Sequence, residues 1–293
     1  MRISNQIIDR RALDAIQRSL TGIEASHAQV ASGLRIHNPS DDPAAFVGAT
    51  SADRQLAALD QYRRNIASAA VRFQAEEAVL DQVTNLLARA RELAVSQAAS
   101  NGSTQTRLIV KAEVDHIIAE IASLANTRNG ALYLFGGDFS DAAPFSASGA
   151  VNPSRPPAGG GSVEIEEGQT VALNHDGQRV FIDTGVFAAL QQLSTGLGTD
   201  DEPTIALAIT SISNAFDEIQ NILGETGART RQLETASVNL ESLDVTLRSQ
   251  RSDLADADIE KAISRLASQQ AAYQAALMTT ARMESLNLTD YLR

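Results

Sequence analysis

Cysteine and tryptophan are both absent from this sequence, and aromatic residues of every kind make up only 4% of its 293 positions. Without thiols there are no disulfides, no thiol nucleophile and no sulfur-ligated metal. So few aromatics, set beside abundant Ala, Leu and Ile, favour long helices over a dense globular core. Positive charge is also scarce: 24 Lys and Arg face 36 Asp and Glu, a net charge of −12. A phosphate-binding face needs clustered cations, so nucleic acid is not expected as a partner. No run approaches 18 apolar residues, so no segment reads as a membrane span and no membrane partner is expected. The opening MRISNQIIDRR lacks the uninterrupted apolar stretch of a secretory signal. For a protein limited to the general secretory route, that points to the cytoplasm.

Apolar residues set at helical spacing are plentiful. Over the last forty residues Ile259, Ile263, Leu266, Tyr273 and Leu277 follow a 4–3–7–4 spacing, the skipped step being Gln270. This is one stripe along a helix whose other faces hold Ala, Ser, Thr and Gln. At the other end Leu13, Ile16, Leu20, Ile23, His27, Val30 and Leu34 alternate steps of three and four, a heptad seam with one polar member. His27 reads as a half-buried seam residue rather than a ligand. A narrow stripe does not hold a long helix in water, because helical stability comes mostly from packing. The two termini are therefore expected to pair, and their order to depend on further neighbours.

Between them the pattern changes twice. Gly33 and Pro39 close the first helix, and Asp42-Pro43 restarts the chain with an N-cap and a first-turn proline. Leu59, Tyr62, Ile66, Ala69, Phe73, Glu76, Leu80, Val83, Leu87, Ala90 and Ala94 then form a long seam broken only by Glu76. Asn101-Gly102 is expected to end that helix, and Val114 to Leu124 mark a third before Asn129-Gly130. Residues 136–185 hold nine of the 18 glycines. Ser162–Glu166, Thr170–Leu173 and Arg179–Ile182 alternate as short strands would, with turns at Gly168 and Asp176-Gly177. Helical spacing resumes near Val186 and is firm beyond Pro203, through Ile205, Ile209, Ile212, Phe216, Ile219, Leu223, Thr226, Thr230 and Leu233. A break is expected near Ser252–Asp256, where capping residues cluster, before the terminal helix.

No set of side chains converges on chemistry. His27, His37, His116 and His175 lie in four different segments with no partner at ligand spacing. Helix capping accounts for Asp41 and Asp42 without a metal. Asp253, Asp256, Asp258 and Glu260 lack the sixth-position Gly and distal Glu of a calcium loop, and read as an acidic helix start. The glycines at 159–161 lack the Lys-Ser/Thr of a phosphate loop, and read as linker. No catalytic, cofactor-binding or metal residue is assigned.

Three strings carry a resemblance: SGLRIHNPSDDPAA from Ser32, GARTRQLE from Gly227 and SDLADADIEKAISRL from Ser252. In content, order and spacing they resemble the bacterial flagellin superfamily. Met1-Arg2-Ile3-Ser4, Tyr133-Leu134-Phe135-Gly136-Gly137 and Leu288-Thr289-Asp290-Tyr291-Leu292 are similar to its hook-associated branch, as are Pro39 and Pro43 around Ser40-Asp41-Asp42. The resemblance implies a mainly α fold, a long antiparallel coiled-coil-like bundle built from both chain ends with a small β-rich insertion. It implies an axial helix at 1–40 pairing with another at 255–293, a bundle from 41–137 and 186–254, and the insertion at 138–185. It implies a structural subunit, not an enzyme, forming a homo-oligomeric ring between hook and filament. Neighbouring hook-associated and flagellin subunits and an export chaperone are the implied partners. Export through the flagellar channel to the extracellular flagellum, without a cleaved signal, is implied as well. Leu13, Ile16, Leu20, Ile23, Val30, Leu34, Ile259, Ile263, Leu266, Tyr273 and Leu277 become the expected axial assembly interface.

Filament flagellin is the alternative within the superfamily. A surface protein whose insertion binds a ligand through Phe139, Phe145 and Phe181 is another, although three scattered aromatics more simply fill a small core. An intracellular helical scaffold has the strings above against it.

Overall fold

The protein is described from a computed structural model, which covers residues 2–98 and 103–291. Six α-helices occur among these residues: α1 (Arg2–Ser32), α2 (Pro43–Ala98), α3 (Thr104–Ala125), α4 (Val186–Thr199), α5 (Glu202–Ala255) and α6 (Ile259–Tyr291). Two antiparallel two-stranded ladders accompany them, β1 (Arg128–Asn129) with β2 (Leu132–Tyr133) and β3 (Ser162–Glu166) with β4 (Gln169–Ala172). The chain divides into two compact units, Met1–Ala58 with Leu243–Arg293, and Leu59–Ser242. The expected end of α2 at Asn101-Gly102 lies outside the described residues.

The long seams fold as their spacing predicts. In α2 every seam position from Leu59 to Ala94 is buried except the half-buried Tyr62, and Glu76 is buried with the rest. Ile205, Ile212, Ile219, Thr226 and Leu233 of α5 are buried, with Ile209, Phe216, Leu223 and Thr230 half-buried. Around Leu80, Val83, Leu87, Ile121, Leu190, Leu193, Ile212 and Ile219 these faces form the core of the second unit. Asp42 Oδ1 accepts from the Ala45 N–H at 3.1 Å, so the restart at Pro43 is capped as its residues require. Gly33, at φ +73°, stops α1 by turning the chain where a side chain would strain it.

The insertion carries less β structure than its alternation suggests. β3 and β4 form one hairpin, tied to α2 where Asn65 Nδ2 donates to the Glu164 carbonyl at 2.7 Å. The third expected strand, Arg179–Ile182, is instead part of a turn of π-helix, Gln178–Ile182. A strand would send Val180 and Phe181 to opposite faces, yet both are buried. Phe181 meets the Phe135 ring edge-on, with centroids 5.2 Å apart, and lies 5.4 Å from Phe145 and 5.9 Å from Phe187. Asp176 Oδ1, accepting from the Arg179 N–H at 2.7 Å, caps the turn. Phe145 and Phe181 are thus core residues. Only Phe139 of the expected trio is exposed, which takes the ligand-lining group apart.

The break before the terminal helix falls at the far end of the expected stretch, beyond Ser252 and Asp253. Helix α5 runs through both to Ala255, because its last carbonyls find donors from elsewhere in the sequence. The Arg35 N–H donates to Ala255 O at 2.7 Å, and Arg35 Nη2 donates to Leu254 O at 2.7 Å. Orphan carbonyls of a helix end need such partners.

Candidate assembly interface

Within the first unit α1 and α6 lie side by side and antiparallel. Leu34 bridges Asp256 at the near end, and Ser26 reaches Gln269 further along. On α6 the face turned inward carries buried Ala262 and half-buried Leu266, Gln269, Tyr273, Ala276 and Thr280. These positions follow steps of four and three, the spacing of a coiled-coil seam. On α1 it carries Ile16, Ser19, Ile23, Ser26 and Val30, with Gly22 so close to the Gln269 side chain that an added Cβ would lie 2.8 Å from it. Ser26 Oγ donates to Gln269 Oε1 at 2.7 Å, a polar pair in an otherwise small and apolar seam. Such a pair fixes register, since a slip by one turn would leave both groups buried without partners.

The expected interface residues therefore divide. Ile16, Ile23, Val30, Leu34, Leu266 and Tyr273 are half-buried, while Leu13, Leu20, Ile259, Ile263 and Leu277 are exposed. Leu13 at 57%, Ile263 at 52% and Leu277 at 43%, with Met278 at 61%, leave apolar surface in water on both helices. His27 is exposed rather than half-buried. The spacing located a stripe on each helix but centred it to one side of the face that closes. Ser26 and Gln269, which set the register, escaped a reading based on apolar residues. The only sequence signal for them is that each falls three or seven residues from an inward apolar position.

The joint between the helices is held by charge and caps. Arg35 Nη1 reaches Asp42 Oδ2 at 3.3 Å, and Arg251 reaches Asp53 at 2.7 Å and Asp256 at 3.6 Å. The Asn38 and His37 N–H groups hold the Asp41 carboxyl below the usual carboxylate range, closing the turn before α2 rather than capping the helix. Asp42 is lowered first by the Ala45 N–H and then by Arg35. Asp258 is lowered by the Lys261 ammonium and the Lys261 N–H, which it caps at the start of α6. Among the described residues no group of three His, Asp or Glu is placed to hold a metal ion, and no helix is long and apolar enough to cross a membrane.

Comparison with known proteins matches the model of the bacterial flagellin N-terminal helical region to residues 3–137 and that of the C-terminal helical region to residues 209–292. The flagellar hook-associated protein 3 of Escherichia coli (strain K12) is 27% identical over 318 aligned positions, covering 98% of both chains. The flagellar filament 33 kDa core protein of Treponema phagedenis is 25% identical over 246 positions, covering 82% of this chain and 80% of its own. Among solved structures, the flagellar junction protein from Legionella pneumophila has a TM-score of 0.59 at 16% identity, over 71% of this chain and all of that one. That likeness concerns the fold.

Proposed function

The chain belongs to the bacterial flagellin family, and on that premise we propose that it is the structural subunit of a ring joining flagellar hook to filament. The observation that carries the assembly mode is the exposed apolar surface left on α1 and α6 after their shared seam has closed. Leu13, Leu20, Ile259, Ile263 and Leu277 are the residues that neighbouring subunits cover. Each fully buried side chain of this kind contributes roughly 1.5–3 kcal/mol, so five supply on the order of 10 kcal/mol per subunit. The order of the terminal helices rises with assembly for the same reason. The junction role, rather than the filament, is supported by 27% identity with a hook-associated protein over 98% of both chains, against 24–25% with filament core proteins. YLFGG at 133–137 and LTDYL at 288–292 support it from the sequence.

On this reading the partners are copies of the chain, an adjoining hook-associated protein and flagellin, with an export chaperone covering the apolar faces beforehand. The subunit works outside the cell, leaves by the flagellar export route without a cleaved signal, and is not an enzyme. Deleting its gene is the test. Intact hooks with unpolymerised flagellin in the medium are expected, and filaments of normal length on the deletion strain would refute the junction role.

A further inference from the structure

In the second unit three elements meet around one imidazole. Glu76 occupies a seam position of α2 and has no exposed surface. Its Oε1 lies 2.6 Å from His175 Nδ1 and accepts the His175 backbone N–H at 3.4 Å. The other ring nitrogen, Nε2, lies 2.9 Å from Glu225 Oε2 on α5. The Thr226 hydroxyl, on the same turn of α5, donates to Glu76 Oε1 at 3.4 Å. His175 is itself buried, and Asn174 beside it donates to the Leu134 carbonyl at 2.8 Å. The ring thus links the insertion to two long helices.

Counting hydrogens shows what the arrangement requires. Each short nitrogen–oxygen contact needs one hydrogen between its atoms. Two carboxylates bring none and a neutral imidazole brings one, so a further proton must be bound. Without it a nitrogen lone pair would face a carboxylate oxygen, either that of the buried Glu76 or that of Glu225, whose side chain is 47% exposed. Cations stand near both carboxylates. From α2, Arg72 stands one turn before Glu76, and from α5, Arg229 stands one turn after Glu225. Arg179 of the π-helical turn is 3.7 Å from Glu225 Oε1. Glu225 is held below the usual carboxylate range, first by the hydrogen bond from His175 and then by Arg179 and Arg229, with burial acting the other way. Asp176 is turned elsewhere, to the N–H groups of Gly159 and Arg179.

We infer that Glu76, His175 and Glu225 form a proton-holding latch that fastens the insertion to α2 and α5 and loosens when alkaline pH removes the proton. The sign follows from linkage. The closed latch binds a proton that the open segment releases, so its stability falls as pH rises, while at the acid end it lasts until the lowered Glu225 carboxyl takes up a proton.

The test uses the full wild-type chain. Nitrogen-resolved NMR of the histidine ring at pH 6 is expected to find hydrogen on both His175 nitrogens. Raising the pH to 9 should remove one of them. Amide protection over residues 174–182, corrected for intrinsic exchange, should fall by about tenfold or more, the factor that one charge-assisted hydrogen bond carries. Protection over residues 80–94 should hold. Glu225→Gln keeps the shape but removes the charge, and should leave protection of 174–182 independent of pH. A single neutral tautomer throughout, or loss of the ring proton with no change in protection, overturns the latch. Should the variant fail to fold, the wild-type measurements decide by themselves.

Discussion

The two units use the same three–four spacing to opposite ends. Around Leu80, Val83 and Leu87 of α2 the seam has no exposed surface, because α3, α4 and α5 supply the opposing faces within one chain. Along α1 and α6 the seam that closes is made largely of Ala, Ser, Gln and half-buried aliphatics, while Leu13, Ile263 and Leu277 stay in water. Heptad spacing therefore reports that a helix has a partner. Whether that partner is in the same molecule depends on how many faces the rest of the chain supplies. The inward seam of the Leu59–Ser242 unit closes within one chain, while on the function proposed above the α1–α6 pair is half of an interface.

Core truncation should give the largest effect. Phe181→Ala removes a ring enclosed by three others, and should cost about 3–5 kcal/mol in denaturant unfolding of the Leu59–Ser242 unit. A loss under about 1 kcal/mol would mean that the aromatic cluster is not part of the core. Ser26→Ala comes next. It leaves Gln269 without its partner and should weaken the α1–α6 pair by about 1–3 kcal/mol, read as faster amide exchange over residues 262–280. Unchanged exchange would break the claim that this pair sets the register.

Ile263→Asp and Leu277→Asp should lie within about 0.5 kcal/mol of the parent in monomer unfolding, since both side chains already face water. Each should nonetheless abolish incorporation at the hook tip, scored by complementing a deletion strain. Normal incorporation of both variants would refute the proposed covering of these two residues by neighbouring subunits. Acid should produce the smallest change. The folded-state pKa of Asp258 is depressed by Lys261, so its capping contribution is complete above the unfolded value near 3.8 and is lost as pH falls through the lower folded value. Fraying confined to the first turn of α6 is expected by amide exchange below pH 4, and fraying that began near pH 6 would assign the cap to another group.

Several features were legible in residues alone. The Asp42-Pro43 restart, the Gly33 stop and the long seams of α2 and α5 each rest on rules that act within one turn. Arg179–Ile182 misled because alternation over four residues fits a strand, while the fold buries the adjacent Val180 and Phe181 together. The ends of the chain misled in another way. Large aliphatics marked the stripe, but the small faces at Gly22, Ser26 and Ala262 let the helices close, because helix separation follows the side chains at the contact.

By itself, the sequence determined that long helices with continuous buried faces follow Asp42-Pro43 and Pro203, because the period of a helix is written in its own side chains. Tertiary structure alone decided which face of α1 meets α6, and what meets Glu76. A polar group on a buried seam persists only with a hydrogen-bond partner, and here that partner is His175, 99 residues away. The spacing within either segment holds no record of the other, so only the fold could bring them together.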